Sequence, residues 1–201
     1  VIAKVEGYYF SKKEYHTFQN PECKFGYRTS IFKQELKNDF LITSVTFRLS
    51  KPPHVLTTKY GNIEEELRKY SDISISVLRA VISDIRNAKL PDIEKKGNAG
   101  SFFKNPVISD KHANSIQNQY PDMPVYPAKN GKTKLSAAWL IDNAECKGIR
   151  LGNAGTFDKQ PLVLINLGNA TGNEIIDLAK HIQDKVKKVF RVQLEPEVNI
   201  I

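Results

Sequence analysis

Gly97-Asn98-Ala99-Gly100-Ser101-Phe102-Phe103-Lys104-Asn105-Pro106 is the most informative stretch of the chain. Two glycines in a turn let backbone approach a ligand closely, and they present Ser101 with a hydroxyl able to donate or accept a proton. A tight turn whose serine caps a neighbouring element is the plainer alternative, and a short glycine motif alone favours it. The Phe-Lys-Asn-Pro continuation after the serine makes the string long enough to weigh toward a ligand site.

Downstream, turns, helices and short strands alternate. Ser109 is placed to cap a helix bearing Ala113, Ile116 and Tyr120 and stopped by Pro121. Ser136 is placed to cap another bearing Ala137, Leu140, Ile141 and Ala144, with Gly148 as its stop. Thr171 and Glu174 form a capping box opening a longer helix, which buries Ile175, Leu178, Ile182, Val186 and Val189. Its last turns hold Lys185, Lys187 and Lys188, favourable for the helix dipole. Leu162 to Ile165 before that helix and Phe190 to Leu194 after it read as strands.

Upstream, Val1, Ala3 and Val5 alternate with Ile2, Lys4 and Glu6, and a second extended stretch runs from Tyr15 to Phe18. Phe40 to Leu49 has the period of a half-buried strand, with Leu41, Thr43, Val45, Phe47 and Leu49 on one face. Pro52 and Pro53 end it. After a loop carrying Tyr60 and Gly61, Glu64 with Arg68 and Glu65 with Lys69 have helical spacing. A helix from about Ser74 shows an apolar face of Ile75, Leu78, Val81, Ile82 and Ile85, and Pro91 stops it at Lys89 and Leu90. The fold class is α+β. A domain boundary is placed after residue 90, giving domains at 1–90 and 91–191, with 192–201 beginning a returning strand.

Hydrophobic residues make up 40% and charged residues 26% of the 201, which places the chain among globular domains and excludes disorder. Thirty Lys and Arg against 22 Asp and Glu leave a formal charge of +8, which calls for an anionic partner. A nucleic-acid-binding module is one candidate. The charges are nevertheless scattered among acids, with no basic tract and no nucleic-acid motif, and a phosphorylated small molecule accounts for them equally well. Cys23 and Cys146 alone support neither a disulfide framework nor a zinc site, and fit a reducing cytoplasm. No apolar run nears the ~20 residues of a membrane span, and no signal segment opens the chain. The chain opens at Val1 without an initiator Met and stops at Ile200 and Ile201 in what reads as a strand, so it is read as a fragment.

The string Gly97 to Pro106 resembles the signature of the UDP-N-acetylenolpyruvoylglucosamine reductase (MurB) family. Further segments match in the family's order: Phe25-Gly26-Tyr27-Arg28-Thr29-Ser30-Ile31-Phe32-Lys33, Lys89-Leu90-Pro91-Asp92 and Leu194-Glu195-Pro196-Glu197-Val198. Ala138-Trp139-Leu140-Ile141-Asp142 fits as well, so the resemblance covers essentially the whole chain. It implies a cytoplasmic flavoenzyme of peptidoglycan precursor synthesis, in which FAD reduced by NADPH passes a hydride to UDP-N-acetylglucosamine enolpyruvate and a proton completes UDP-N-acetylmuramate. It also implies that residues 1–90 are the later half of a flavin-binding α+β domain with a tyrosine-loop insertion. A smaller α+β substrate-binding domain then follows.

By the same resemblance Ser101 corresponds to the proton donor, while Arg28 and Glu197 correspond to the pair that stabilises the developing enol. Hydride addition pushes charge onto a conjugated carboxylate, so a fixed guanidinium and a proton-bearing carboxyl suit the task. Tyr60, Lys89, Asn105 and Gln160 match positions that hold the diphosphate and sugar, and Tyr27 is a further substrate-binding candidate. The main flavin-holding segments are expected upstream of Val1, so FAD is not expected on this stretch and the stretch alone is expected to be inactive. A non-catalytic nucleotide-sugar-binding relative is a further alternative, against which the joint retention of Ser101, Arg28 and Glu197 argues.

Gly152-Asn153-Ala154-Gly155-Thr156-Phe157 repeats the serine string with Thr for Ser, but lacks the Phe-Lys-Asn-Pro continuation, and reads as a turn into the strand at Leu162. His16, His54, His112 and His181 share no metal spacing, and no metal is expected. Cys23 reads as an inert, partly buried thiol and Trp139 as core.

Overall fold

The alternation at the start of the chain becomes strand β1 (Ile2–Tyr9) in a computed structural model that describes residues 1–59 and 61–200. The chain falls into two units, Val1–Thr58 and Lys59–Ile201. In the first, β1 lies between β2 (Glu14–Gln19) and β3 (Phe40–Phe47), all antiparallel. Val5, Tyr9 and Phe18 bury one face of this sheet against Cys23 and Ile31, which two short 3-10 turns, Asn20–Cys23 and Ile31–Lys33, carry beneath it. Phe40 closes the cluster, its ring 5.0 Å from that of Tyr9 and 5.3 Å from that of Phe18. Gly7 makes that approach possible: a Cβ there would stand 2.2 Å from the carbonyl oxygen of Leu41.

The half-buried strand expected at Phe40 to Leu49 is corrected on two counts. Glu6 pairs with Ser44 but Gly7 with Ile42, so Thr43 is bulged out. Residues directly opposite share a face, and the extra residue therefore separates Leu41, which faces with Tyr8, from Val45, which faces with Val5. The strand is also exposed along all its residues after Phe40, so the alternation does not bury either side.

In the second unit α1 (Ile63–Leu67) packs on α2 (Ile75–Lys89) through Ile63, Leu67 and Val81, with Leu78, Ile82 and Ile85 half-buried beside them. Ser74 caps α2 by accepting from the amide of Val77. Ile75, expected on the apolar face, is exposed, and Lys69 pairs with Glu66.

Then follow β4 (Asn98–Ser101), β5 (Val107–Ser109), α3 (Asp110–Gln119), β6 (Val125–Pro127), β7 (Lys132–Leu135) and α4 (Ala137–Asn143). The last elements are β8 (Arg150–Leu151), β9 (Ala154–Phe157), β10 (Gln160–Asn166) and α5 (Gly172–Phe190). The strands form two antiparallel sheets, ordered β4-β10-β9-β8 and β5-β7-β6. Ser109, Ser136 and Thr171 cap α3, α4 and α5 as their positions predict. Leu135, Leu140, Ile141, Leu178, Ile182 and Val186 form the centre of the main core.

Two expectations at the end of α5 fail together. Val189 lies on the predicted apolar stripe yet is exposed, because Phe190 closes the core there with its ring against Tyr120 and Trp139. The predicted strand from Phe190 to Leu194 is not formed: Phe190 ends the helix and Arg191 takes a left-handed cap conformation. The alternation behind that expectation is real, since Val192 and Leu194 are buried, but the side-chain amide of Gln183 donates to the Leu194 carbonyl in place of a ladder partner.

Candidate functional site

Within the string Gly97 to Pro106, the expected glycine turn is instead strand β4 from Asn98 to Ser101. Gly100 takes φ +72 inside β4, a conformation that L side chains rarely adopt, and it delivers Ser101 to the end of the edge strand. Ser101 is exposed and pairs with Val163 of β10. Val163 packs with Ile165, Phe157 and Leu90, so Ser101 lies on the sheet face that the end of α2 covers, while its neighbour Phe102 joins the main core on the other side. Leu90, which packs on that face, directly follows Lys89, the predicted phosphate lysine at the end of α2.

Beyond Ser101 the string meets the end of the chain. Phe103 and Pro196 form an antiparallel bridge, flanked by Lys104 N–H donating to the Glu195 carbonyl at 2.9 Å and Glu197 N–H donating to the Phe102 carbonyl at 2.7 Å. Glu197 is thereby held beside the residue that follows Ser101. Asn105, expected on the substrate, has a structural task as well: its Oδ1 accepts from the first helical amide of α4, Ala137, at 2.9 Å. That bond satisfies a helix-end donor and fixes the side chain.

Gln160 begins β10 opposite Phe157. Its Oε1 is buried with no hydrogen-bond partner among the described residues, an expensive state that a bound donor would relieve. Lys89 lines a cleft of about 250 Å³ between α1 and α2 with Asn62, Glu66, Tyr70 and Asp84, and its Nζ lies 3.5 Å from the Asn62 Oδ1. Tyr60 lies outside the described residues.

Arg28 and Tyr27 belong to the first unit. Gly26 and Thr29 pair with each other across them, so the two residues form the tip of a minimal hairpin. Arg28 takes φ +55, unusual for a residue with a Cβ, and its guanidinium lies 6.0 Å from the Tyr27 ring centroid. The turn sets both side chains outward, and Tyr27 is exposed.

The threonine look-alike is tied into the fold. Thr156 is buried, its hydroxyl donating to the Cys146 carbonyl at 2.6 Å and accepting from the Ile149 amide at 3.1 Å. Burial raises the pKa of both Cys23 and Cys146, as for inert thiols. Among the described residues no group of His, Cys, Asp or Glu could hold a metal ion, and no helix is long and apolar enough to cross a membrane.

These observations define an α+β protein whose second unit presents a polar site at the edge of a small antiparallel sheet. The sequence model of the UDP-N-acetylenolpyruvoylglucosamine reductase C-terminal domain matches residues 92–201, and the chain belongs to that family. The UDP-N-acetylenolpyruvoylglucosamine reductase of Flavobacterium johnsoniae is 45% identical over 192 residues, covering 94% of this chain and 57% of that protein. The reductase of Chromobacterium violaceum is 47% identical over 188 residues, covering 92% and 54%. That of Bacteroides fragilis is 42% identical over 201 residues, covering 100% and 60%. The chain thus spans little more than half the length of these relatives. A solved structure titled UDP-N-acetylenolpyruvylglucosamine reductase from Thermus caldophilus superposes with a TM-score of 0.58 at 23% identity, covering 98% of this chain and 52% of that one, which supports the fold.

Proposed function

We propose that this chain is the substrate-binding and proton-donating portion of a cytoplasmic, FAD-dependent and NADPH-dependent reductase, which converts UDP-N-acetylglucosamine enolpyruvate to UDP-N-acetylmuramate in peptidoglycan precursor synthesis. The observation that supports it most is the Phe103–Pro196 bridge, in which the Glu197 amide bonds the carbonyl of Phe102, the residue after Ser101, since the reaction needs a proton donor and an enol-stabilising acid near each other. We assign residues 1–90 to the later half of the flavin-binding region, 91–191 to the substrate domain and 192–201 to the segment carrying Glu197.

Ser101 gives its hydroxyl proton to the carbon left electron-rich by hydride addition. Glu197 and Arg28 stabilise the charge that moves onto the substrate carboxylate. Lys89, Asn105, Gln160, Tyr60 and Tyr27 bind the UDP-sugar, and the fixed side chain of Asn105 keeps its amide nitrogen available to do so.

FAD would supply the hydride, but the described residues do not fit its pyrophosphate. The strand, glycine turn and helix formed by β10, Gly168 to Gly172 and α5 suggest such a cradle. Glu174, however, already closes the start of α5, accepting from the amides of Thr171 at 2.8 Å and Asn153 at 3.0 Å. A second anion there would meet its charge.

In a complete flavoenzyme carrying this chain, the enolpyruvyl UDP-sugar should reoxidise the reduced flavin, followed by its absorbance. Random DNA of comparable charge should not compete. Equal competition would favour the nucleic-acid alternative, and binding without reoxidation would favour a non-catalytic relative. Tyr60→Ala should raise KM more than it lowers kcat, as for an arm over the substrate.

A further inference from the structure

We propose that Lys96 is a further substrate-binding residue, holding an anionic oxygen of the nucleotide-sugar diphosphate on the face of the sheet that carries Ser101. Lys96 closes the turn before Gly97, and its backbone is fixed on both sides. Its amide donates to the Asp92 carbonyl at 2.9 Å, and its own carbonyl accepts from the Asn98 side chain at 3.0 Å. The ammonium lies 5.4 Å over the ring of Phe157. Phe157 packs with Val163, the partner of Ser101, and is the partner of Gln160. One half-buried side chain therefore carries a positive charge to the neighbourhood of the serine and of the unpaired Gln160 oxygen.

The way the charge is held distinguishes it from its neighbours. Lys95 sits 3.4 Å from Asp92 and Lys104 3.4 Å from Glu195, each beside a carboxylate that offsets its charge. Among the described residues Lys96 has no such partner. An aromatic face orients an ammonium without neutralising it, so the full charge remains available to an anion. A diphosphate carries charge on both phosphoryl groups, so a lysine without a carboxylate partner suits it.

The inference rests on the proposed function, and binding to this chain separates the two. Calorimetric titration with UDP-N-acetylglucosamine should give a measurable Kd, whereas N-acetylglucosamine, which lacks the diphosphate, should bind far more weakly. Lys96→Met should weaken UDP-N-acetylglucosamine by about tenfold or more, the loss expected of one charge-assisted contact. Lys96→Arg should restore most of the affinity, and Lys95→Met should leave it within about twofold. Unchanged affinity in Lys96→Met with a binding wild type would overturn the role of Lys96 alone. An equal loss in Lys95→Met would reduce it to the general field of a basic surface. A wild type that does not bind the UDP-sugar would remove both the inference and the reading beneath it.

Discussion

Glu197 donates its amide proton to the carbonyl oxygen of Phe102 across 2.7 Å, which fixes the last segment of the chain beside the strand that ends at Ser101. The bond is backbone to backbone, so it holds whatever the side chains do. An acid and a hydroxyl from distant parts of the sequence are thus placed by main chain, the most rigid support a fold offers.

Ser101 and Thr156 stand in look-alike strings and should respond to alanine in opposite ways. On the proposed function, in a flavoenzyme carrying this chain, Ser101→Ala should still allow NADPH to reduce the flavin, while product formation falls by about 10²- to 10⁴-fold. Thr156→Ala should keep turnover and lose stability by about 1–3 kcal/mol, because two buried hydrogen bonds go with the hydroxyl. Stopped-flow traces of flavin reduction and reoxidation, beside thermal melts, separate the cases. A block of reoxidation in Thr156→Ala but not in Ser101→Ala would reverse the assignment.

Gln160 should show a conflict between stability and binding. Its buried, unpaired Oε1 costs the fold free energy, so Gln160→Met should raise Tm and weaken the UDP-sugar. A lower Tm with unchanged affinity would mean that the side chain serves packing.

Glu174 makes the start of α5 sensitive to acid. Hydrogen bonds from the backbone of Thr171, then of Asn153, hold its pKa below the usual carboxylate range. A folded pKa below the unfolded one contributes stability above the unfolded value, near pH 4, and the contribution is lost as pH falls through the folded value. Glu174→Gln should therefore melt lower than wild type at pH 7, and the gap should close in acid. A gap independent of pH would assign the effect to shape rather than charge.

Gly100 tests backbone conformation alone. An added Cβ meets nothing within 4 Å, yet φ is +72. Gly100→Ala should cost about 1–2 kcal/mol, and Gly100→Asn less, since Asn tolerates the left-handed region. Chemical denaturation gives both values, and a neutral Ala variant would show that β4 relaxes.

Local signals were legible where the cause was local. The three caps at Ser109, Ser136 and Thr171 follow from a side-chain oxygen reaching an amide three residues on, which needs no tertiary partner. The strand at Leu162 to Ile165 was readable from a short apolar run ahead of a capped helix, and the α+β class from the alternation of such elements. The predicted strand after Phe190 was not: alternation reports which side chains are buried, not whether the backbone finds a ladder. The bulge at Thr43 was invisible because register is set by the partner strand.

By itself the sequence determined which residue types are present and their local conformation: the glycine that turns the backbone before Ser101, the helix caps, and the long strings that place the chain in its family. Tertiary structure alone decided which of them meet. It set Glu197 beside Phe102, gave Lys96 an aromatic face instead of a carboxylate, committed Thr156 to the fold and left Gln160 with an unpaired oxygen. Each of these is a contact between segments far apart in the chain, and such contacts are fixed by cooperative packing of the whole unit rather than by any signal within a few residues.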